Sequence, residues 1–419
     1  MPLSAGEPVN RAVITELDRV GEHPLPPPGG DGRLRVLFLH STALGHATYG
    51  RLLERYAAES PDLDAVHVHY VPSRRLRAAS HGFRRLQGYD FAGARRMLLW
   101  RLALARKLFS AVPLSRFDVV HAATQPLGFA AAGAARRAEV PLVVNVDCTS
   151  ASYAALRGGA PPDERVVARF ERRVFESAAL VVAWSHWAAG SLRDDSGLDP
   201  DRVEVVPPTV PLRSFERAVR AEGGRPLRIG FVGNEWERKG GPELLRWHQE
   251  RWSNRAELHV ASRGARPDDT ALNVVWHGAL SHDDVTSRFL PTLDVFVLPT
   301  KHEVFGLAVL EAAGAGVPVV TSRMAAMPEL VADGRTGFLC DPGDERCFVT
   351  AVERLLSDPA QRASMAAAAR RHVEERFNPQ ESYPRLFGLL AEVADPRRST
   401  VARRSAEAAF PSTPDATST

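Results

Sequence analysis

The feature that most constrains the fold is a repeated alternation of short apolar runs with helical patterns. The run RLRVLFLH, which begins at Arg33, is rich in Val, Leu and Phe and precedes the helical pattern of YGRLLERYAAE. A short apolar run bounded in this way indicates a strand that is buried on both faces. Because strands that alternate with helices form parallel sheets, this pattern predicts an α/β fold.

The alternation occurs in two series. The first continues with DAVHVHYV, FDVVHAA, PLVVNVD and ALVVAW and pauses after VEVVPPTV, and the second comprises LRIGFVG, ELHVAS, NVVWHG, DVFVLP, VPVVTS and TGFLCDP. A chain of 419 residues is too long for one ordinary core. We therefore predict two doubly wound domains, residues 33–210 and 226–379, joined by a polar linker at 211–225.

The two ends of the chain have a different composition. Residues 1–32 are rich in Pro and Gly and are predicted to form a flexible extension. A helix is expected from Gln380 to Val393, and the segment 380–394 is expected to return to the N-terminal domain. The tail at 395–419, rich in Ser, Thr, Ala, Arg and Pro, is predicted to be disordered.

Charge and cysteine content exclude several classes of protein. The formal net charge of +3 is small for this length, so no nucleic-acid partner is expected. Cys148, Cys340 and Cys347 are odd in number and contain no C-x-x-C pair, which predicts neither a disulfide framework nor a zinc site and favours a reducing cytosol. With no basic, apolar leader and no window of about 18 apolar residues, the protein is expected to be cytoplasmic.

Candidate ligand-binding residues lie in KHEVFGLAVLEAAGAGVPVV. A strand is predicted to end at Pro299 and a helix to run from about Gly306 to Gly316, so Glu303 lies in the loop and Glu311 on the helix. In an open α/β sheet, ligands bind at such a junction. The acids could accept hydrogen bonds from ribose and sugar hydroxyls, although two glutamates by themselves are also consistent with a solvated loop acid and a surface helix acid.

The same junction suits an anion. Free backbone N–H groups near Phe305, Gly306 and Leu307 would face an incoming diphosphate, which the helix dipole also favours.

Several motifs together resemble the retaining family-four glycosyltransferases. They are GNEWERKGG, HGALSHDDV, LDVFVLPTKHEVFGLAVLEAAGAGVPVVTS and MPELVADGRTGFLCDPGD, and the resemblance is dense over the C-terminal domain and looser over the N-terminal one. It implies the GT-B fold, in which two Rossmann-like domains face each other across a cleft. It also implies transfer of a hexose from a nucleoside diphosphate sugar to a hydroxyl acceptor with retention of anomeric configuration.

The resemblance also implies roles for individual residues. Glu311 matches the glutamate on the donor ribose, Glu303 the one on the donor sugar, and Lys239 the lysine on the diphosphate, a role that suits a point charge. We predict catalytic roles for Asp147, Lys239 and Glu303. The predicted donor-binding residues are Gly45, His46, Gly233, Asn234, Arg238, Lys239, Glu303, Val304, Phe305, Gly306, Leu307 and Glu311.

The sequence departs from the family pattern at two positions. Many members have a basic residue after the glycine of the first C-domain strand, but here Gly233 is followed by Asn234, and Arg238 is the candidate to compensate. After PLVV the family usually places a histidine near the scissile bond, whereas this chain has Asp147. An ionised carboxylate would repel a departing diphosphate, so Asp147 either turns toward an acceptor hydroxyl or is displaced from the site. In a second interpretation, Asp147 is a structural aspartate whose hydrogen bonds are satisfied at the end of the strand.

The first N-domain loop, HSTALGHATYG, matches a position where the family brings backbone close to the diphosphate and acceptor. Gly45 would permit that approach because a Cβ would clash. His46 either lies in the cleft or is an ordinary loop residue. The absence of G-x-G-x-x-G after the first strand argues against a classical NAD fold.

Residues 73–107 are strongly basic, with ten Arg or Lys residues and a single acid, Asp90. Arg95, Arg96, Arg106 and Lys107 fall on one face of a helical wheel, and apolar residues interleave. Two interpretations stay open, a peripheral contact with anionic membrane and an ordinary solvated helix.

The expected chemistry is stabilisation of the departing diphosphate by Lys239 and backbone N–H groups. No Asp-x-Asp pattern stands out beside a strand end to hold a metal, so a metal-independent enzyme without a cofactor is expected. The acceptor is expected to be a glycan, a lipid-linked or a small-molecule hydroxyl. The departures at Asn234 and Asp147 motivate an alternative, a nucleotide-sugar-binding protein without turnover, and epimerisation of a nucleotide sugar is a third reading.

Overall fold

The structure is a computed structural model of the full chain. It describes residues 13–14, 32–41, 45–70, 92–109, 112–159, 162–212, 226–264 and 270–395. The predictions for most of the N-terminal extension, most of the linker, residues 73–91 of the basic segment and the C-terminal tail therefore lie outside the described residues.

The first sheet has seven parallel strands in the order β1-β3-β2-β4-β5-β6-β7. The strands are β1 (Val13–Ile14), β2 (Leu34–Ser41), β3 (Leu63–Tyr70), β4 (Val119–Ala122), β5 (Leu142–Val146), β6 (Leu180–Ala183) and β7 (Val203–Val205). The helices are α1 (His46–Glu59), α2 (Ala92–Lys107), α3 (Gln125–Arg137), α4 (Ser150–Leu156), α5 (Pro162–Ser177) and α6 (His186–Asp194). The alternation of strands and helices predicted from the sequence is confirmed in this half.

The second sheet has six parallel strands in the order β10-β9-β8-β11-β12-β13. The strands are β8 (Leu227–Val232), β9 (Ala256–Ala261), β10 (Val274–Gly278), β11 (Val295–Leu298), β12 (Val319–Ser322) and β13 (Gly337–Cys340). The helices are α7 (Gly241–Trp247), α8 (His282–Asp284), α9 (Leu307–Gly314), α10 (Met327–Leu330), α11 (Glu345–Ser357), α12 (Pro359–Arg376) and α13 (Pro379–Ala394). The structure therefore has two doubly wound sheets, as the sequence predicted.

Central strands read as continuous apolar runs because both of their faces are covered. All eight residues of β2 are buried, and so are all four of β11. A strand sandwiched between helix layers has no solvent-facing side, which removes the alternation typical of half-exposed strands. Burial of these runs fixes the strand positions and places all their carboxyl ends at one edge of each sheet.

The helix α13 links the two halves of the molecule. It follows Asn378, whose side chain accepts from the backbone N–H of Gln380, and it lies against the N-terminal domain. Tyr383 stacks on Tyr56 of α1 with ring centroids 4.6 Å apart. Arg385 donates to Glu204 of β7 at 2.9 Å. The chain therefore crosses back from the second domain to pack on the first.

Residues 1–32 were predicted to form a flexible extension, and within them Val13–Ile14 pairs with β3 in parallel register as the edge strand β1. One expectation was wrong. No disulfide was predicted, but Cys340 and Cys347 are joined, with their Cα atoms 5.6 Å apart. Cys340 ends β13 and Cys347 lies in the first turn of α11, so the short connection between strand and helix brings the two sulfurs together.

The N-terminal sheet contains a buried layer of polar side chains. His40 of β2, His67 of β3, His121 of β4 and Asn145 of β5 are all buried. His121 Nε2 and Asn145 Oδ1 are 2.9 Å apart, and Asn145 Nδ2 donates to the Tyr49 hydroxyl of α1 at 2.6 Å. Burial lowers the pKa of His67 to about 4 and that of His121 to about 4. These histidines are therefore uncharged at neutral pH.

Candidate active site in the cleft

The two domains meet along the edge where the strands of each sheet end. Gly45, the residue before α1, lies against Leu307, the first residue of α9, and a Cβ on Gly45 would lie 2.7 Å from Leu307 Cδ1. Trp184 after β6 contacts Phe305 edge to face, with ring centroids 5.9 Å apart. Helix N-termini from both domains therefore converge on one cleft, as is expected for ligand sites of open α/β sheets.

Lys239 and Glu303 form an ion pair on the C-terminal wall of the cleft. Lys239 comes from the turn between β8 and α7, and Glu303 from the loop between β11 and α9. The lysine Nζ donates directly to Glu303 Oε2, and the two side chains are only 15% and 13% exposed. The structure thus brings together two residues that the sequence proposed separately for the diphosphate and the sugar.

Glu311 lies on α9 and is also paired. Its side chain is 7% exposed, and its Oε1 lies 2.9 Å from Nε2 of His282 in α8. Burial opposes ionisation of His282, but the hydrogen bond and charge of Glu311 outweigh it and raise the pKa of His282 above the ordinary imidazole value. His282 therefore holds the carboxylate in place while one of its oxygens stays available for a hydroxyl donor.

The N-terminus of α9 lies where the sequence predicted backbone donors for a diphosphate. The helix begins at Leu307, with Gly306 as its N-cap in the left-handed region at φ +90°. A Cβ on Gly306 would lie 2.6 Å from Cε of Met327, so glycine is required by both the conformation and the space. Glu303 Oε1 accepts from the backbone N–H of Val304 at 3.2 Å, which holds the loop in front of the helix.

Asn234, which stands where many family members have a basic residue, and Arg238, the candidate to compensate for it, both bond to neighbouring groups in the structure. Asn234 Oδ1 accepts from the backbone N–H of Arg263 at 3.0 Å and so joins the ends of β8 and β9. Arg238 donates to Glu235 and to the carbonyl oxygen of His302. Gly233 is buried beside Lys239, whose Cγ would lie 3.0 Å from a Cβ at that position. A donor role for Asn234 and Arg238 stays a prediction.

The N-terminal wall carries a second charged pair. His46 Nε2 lies 3.4 Å from Asp147 Oδ2, with 15% and 24% of the two side chains exposed. Burial alone would raise the pKa of Asp147, but hydrogen bonds from His46 and from the backbone N–H of Cys148 hold that pKa below its ordinary value. The His46 ring also lies 4.7 Å from the Trp184 ring, centroid to centroid. An imidazole therefore stands beside Asp147, supplied by a different element of the chain.

A contact between the domains fixes how the walls face each other. The carboxylate of Glu329 on α10 accepts from the backbone N–H groups of His186 and Trp187, both at 2.9 Å. These two residues form the first turn of α6 in the other domain. A carboxylate at a helix N-terminus satisfies free N–H groups and interacts favourably with the helix dipole.

Sequence reasoning missed three residues of this site. His282 stands in the motif HGALSHDDV, and its position was the available signal for a partner of Glu311. Trp184 and Glu329 carried no such signal, because their partners lie far away in the chain.

Among the described helices, none has the length and hydrophobicity that a bilayer crossing requires.

Two doubly wound domains that face each other across a cleft define the GT-B class of fold. Two family models match the chain: residues 226–358 match glycosyl transferases group 1, and residues 74–209 match the glycosyl transferase 4-like domain. HepE from Anabaena in complex with UDP-glucose has the same fold, with a TM-score of 0.64, 16% identity, and 86% of this chain and 100% of that chain covered.

Curated relatives identify the family. A D-inositol 3-phosphate glycosyltransferase from Xylanimonas cellulosilytica is 30% identical over 67% of this chain and 73% of that protein. A protein of the same name from Pseudarthrobacter chlorophenolicus is 29% identical over 61% of this chain, and the match spans 66% of that protein. The chain therefore belongs to the glycosyl transferases group 1 family, and the family and fold predicted from its sequence are confirmed.

Proposed function

We propose that this protein transfers a hexose from a nucleoside diphosphate sugar to a hydroxyl acceptor with retention at the anomeric carbon. The observation that carries the proposal is the ion pair between Lys239 and Glu303, which lies in front of the N-terminus of α9. The structure of HepE, which has the same fold and was solved in complex with UDP-glucose, supports the choice of donor. The acceptor is a hydroxyl of a glycan, a lipid-linked molecule or a small molecule.

Donor binding replaces one interaction of Lys239 by another. A diphosphate competes with Glu303 for the lysine Nζ and also accepts from backbone N–H groups at Phe305, Gly306 and Leu307. Glu303, released from the lysine, accepts from a sugar hydroxyl, and Glu311 accepts from the ribose. The pair in the free enzyme therefore keeps both side chains positioned before the donor arrives.

Bond cleavage leaves negative charge on the diphosphate while the sugar develops positive charge. Lys239 and the helix N-terminus stabilise the leaving group in a partly buried site, where fixed donors act more strongly than in water. The transfer step needs no metal ion at the diphosphate in this scheme.

The pair of His46 and Asp147 acts on the opposite side of the sugar. Asp147 holds the imidazole of His46 at the cleft wall, in the region where the family places its own histidine. We assign His46 to the donor sugar and leaving phosphate, and Asp147 to positioning His46. This assignment removes the repulsion between a lone carboxylate and the diphosphate, because the carboxylate is paired.

The basic segment contributes to the proposal through α2. Leu98 and Leu102, one helical turn apart, are 43% and 60% exposed. Apolar residues exposed on a basic helix fit contact with an anionic membrane surface, which would bring a lipid-linked acceptor to the cleft. Flotation with vesicles that contain anionic lipid tests this contact at low salt; absence of binding there contradicts it, because screening is then weakest.

A panel of nucleoside diphosphate sugars tests the main proposal. The correct donor is expected to raise the thermal midpoint, since a ligand that binds only the folded state stabilises it. Slow release of nucleoside diphosphate from the same mixture shows turnover. Binding without release or transfer favours the alternative, a nucleotide-sugar-binding protein, and a product with inverted sugar stereochemistry at a ring carbon, detected by NMR, favours epimerisation.

A further inference from the structure

Three potential metal ligands meet between α1 and the N-terminal sheet. His40 ends the apolar part of β2, His69 lies opposite it on β3, and Glu54 lies on α1, which packs over both strands. One ring nitrogen of each histidine and one oxygen of the glutamate all lie within 4.8 Å of one another. The donor cleft uses none of these three residues.

His40 is bonded on one side only. Its Nε2 lies 2.8 Å from Nδ1 of His67, which leaves Nδ1 for another partner. The His40 side chain is fully buried, and Nδ1 has no hydrogen-bond partner among the described residues. This nitrogen faces α1, because a Cβ on Gly50 would lie 3.0 Å from it, and Glu54 lies one turn further along the same helix. A buried polar atom without a partner is unfavourable in a folded protein.

The other two side chains line the entry to the same place. Glu54 Oε1 contacts Nε2 of His69, and these side chains are 20% and 14% exposed. Solvent therefore reaches the carboxylate and His69 but not His40. A cation can enter from that side and meet the buried nitrogen of His40 last.

The donor set suits a zinc-class cation. Two imidazoles and one carboxylate form a known ligand combination for zinc, with metal–ligand distances of about 2.0–2.2 Å. Tetrahedral ligands at that distance are roughly 3.4 Å apart. The ligand atoms all lie within 4.8 Å of one another, so the two that are farthest apart would need to approach by no more than about 1.4 Å. Glu54 Oε1 and His69 Nε2, which are in contact, would move apart to admit the ion. With Nδ1 of His40 on the metal, its Nε2–H would donate to Nδ1 of His67, which would act as the outer partner that orients the ring.

We propose that His40, Glu54 and His69 bind one zinc-class divalent cation, apart from the donor cleft. The cation ties α1 to β2 and β3. Since α1 begins at His46, about 12 Å before Glu54 along the helix axis, the same cation steadies the element that carries part of the N-terminal wall. The proposal concerns this site only and adds no metal to the transfer step.

Metal titration of the full-length protein without a polyhistidine tag tests the proposal. The protein is stripped with a chelator and titrated separately with Zn²⁺ and with Co²⁺, whose visible absorption reports coordination by protein ligands. We expect one equivalent of either ion to bind and to raise the thermal midpoint. Glu54→Gln and His69→Gln should each weaken that binding by at least about 100-fold, since loss of an outer partner alone costs 10–100-fold.

A matched control uses a pair of neighbouring histidines in the other domain. Nδ1 of His259 and Nε2 of His277 lie 3.1 Å apart in the C-terminal domain, outside the proposed site. The variant His277→Gln should therefore bind Co²⁺ like the unaltered protein. His69→Cys should retain the ion and add the near-ultraviolet absorption of a thiolate bound to Co²⁺. That variant keeps the test decisive if a Gln variant fails to fold.

The outcomes separate clearly. One equivalent of Co²⁺ that is lost in Glu54→Gln and His69→Gln but kept in His277→Gln supports the site. Failure of the unaltered protein to bind either ion overturns it. Binding that is equal in all variants also overturns it, because the ion then occupies other side chains.

Discussion

The two walls of the cleft are built in different ways. On the C-terminal wall, Lys239, Glu303 and Glu311 come from turns and a helix of one domain, and each has a charged partner within that domain. On the N-terminal wall, His46 begins α1 after β2, and Asp147 follows β5. The pair forms only because β2, β4 and β5 lie in that order in one sheet and end at the same edge.

The two walls therefore depend on two different kinds of information, local residue spacing and the order of strands in the sheet. The C-terminal wall depends on motifs in which residue spacing alone sets the position of a side chain at a strand end or a helix start. The N-terminal wall depends on the order of strands in the sheet. A substitution on the first wall therefore tests a single motif, whereas one on the second tests an arrangement between distant segments.

The largest effect is expected from Lys239→Met, which removes the positive charge that is paired with Glu303. Turnover should fall by about 10²- to 10³-fold, the usual loss for removal of one donor that stabilises transition-state charge. Steady-state kinetics with the donor found by the panel measure it. Lys301→Met is the control, since Lys301 is half exposed and bound to Glu243 at 2.7 Å. Equal activity of the two variants would remove Lys239 from the mechanism.

A smaller effect is expected from Asp147→Asn on the opposite wall. The amide keeps the size of the carboxylate but loses its charge, so His46 is held less firmly, and kcat should fall by about 10- to 100-fold. His46→Gln and the double variant complete a cycle. Because the two side chains act together, the double variant should be no worse than the more damaging single one. The pairing would be contradicted if the loss of kcat in the double variant equalled the product of the two single losses. Unchanged turnover in Asp147→Asn would contradict it as well.

The contact that aligns the walls should have a still smaller effect. Glu329→Gln keeps a hydrogen-bond acceptor but removes the charge at the N-terminus of α6, which should lower the stability by about 0.5–1 kcal/mol. The thermal midpoint, measured by calorimetry, is compared with that of Glu176→Gln, a surface substitution on α5. A midpoint that falls equally in both variants would show that Glu329 does not hold the domains together.

The smallest effect concerns pH and the pair of His282 and Glu311. The pKa of His282 is raised in the folded protein, so its contribution to stability is complete below the ordinary imidazole pKa and is lost as the pH rises through the raised value. Since His282 is partly exposed, the contribution should stay below about 1 kcal/mol. The stability lost in His282→Gln should therefore be larger at about pH 5.5 than at about pH 9. A loss that does not change with pH would show that protonation of His282 does not stabilise the folded protein.

Much of the fold could be predicted because its pattern is local. The buried strand β11 is apolar throughout, β2 is apolar from Val36 to Leu39, and Gly306 and Gly316 mark the ends of α9 within two residues. The disulfide between Cys340 and Cys347 was not foreseen, since an odd cysteine count says nothing about which two sulfurs approach. The strand β1 was missed because two residues carry no periodicity.

The sequence by itself determined the class of fold, the family, and the positions of Lys239, Glu303 and Glu311 at the ends of strands and starts of helices. Spacing suffices there, because each residue is placed by the element that it flanks. Only the tertiary structure decided that His46 stands beside Asp147, that His282 holds Glu311, that Glu329 spans the domains, and that His40, Glu54 and His69 meet. These contacts join segments distant in the chain, and strand order and domain packing, which no local pattern encodes, bring them together.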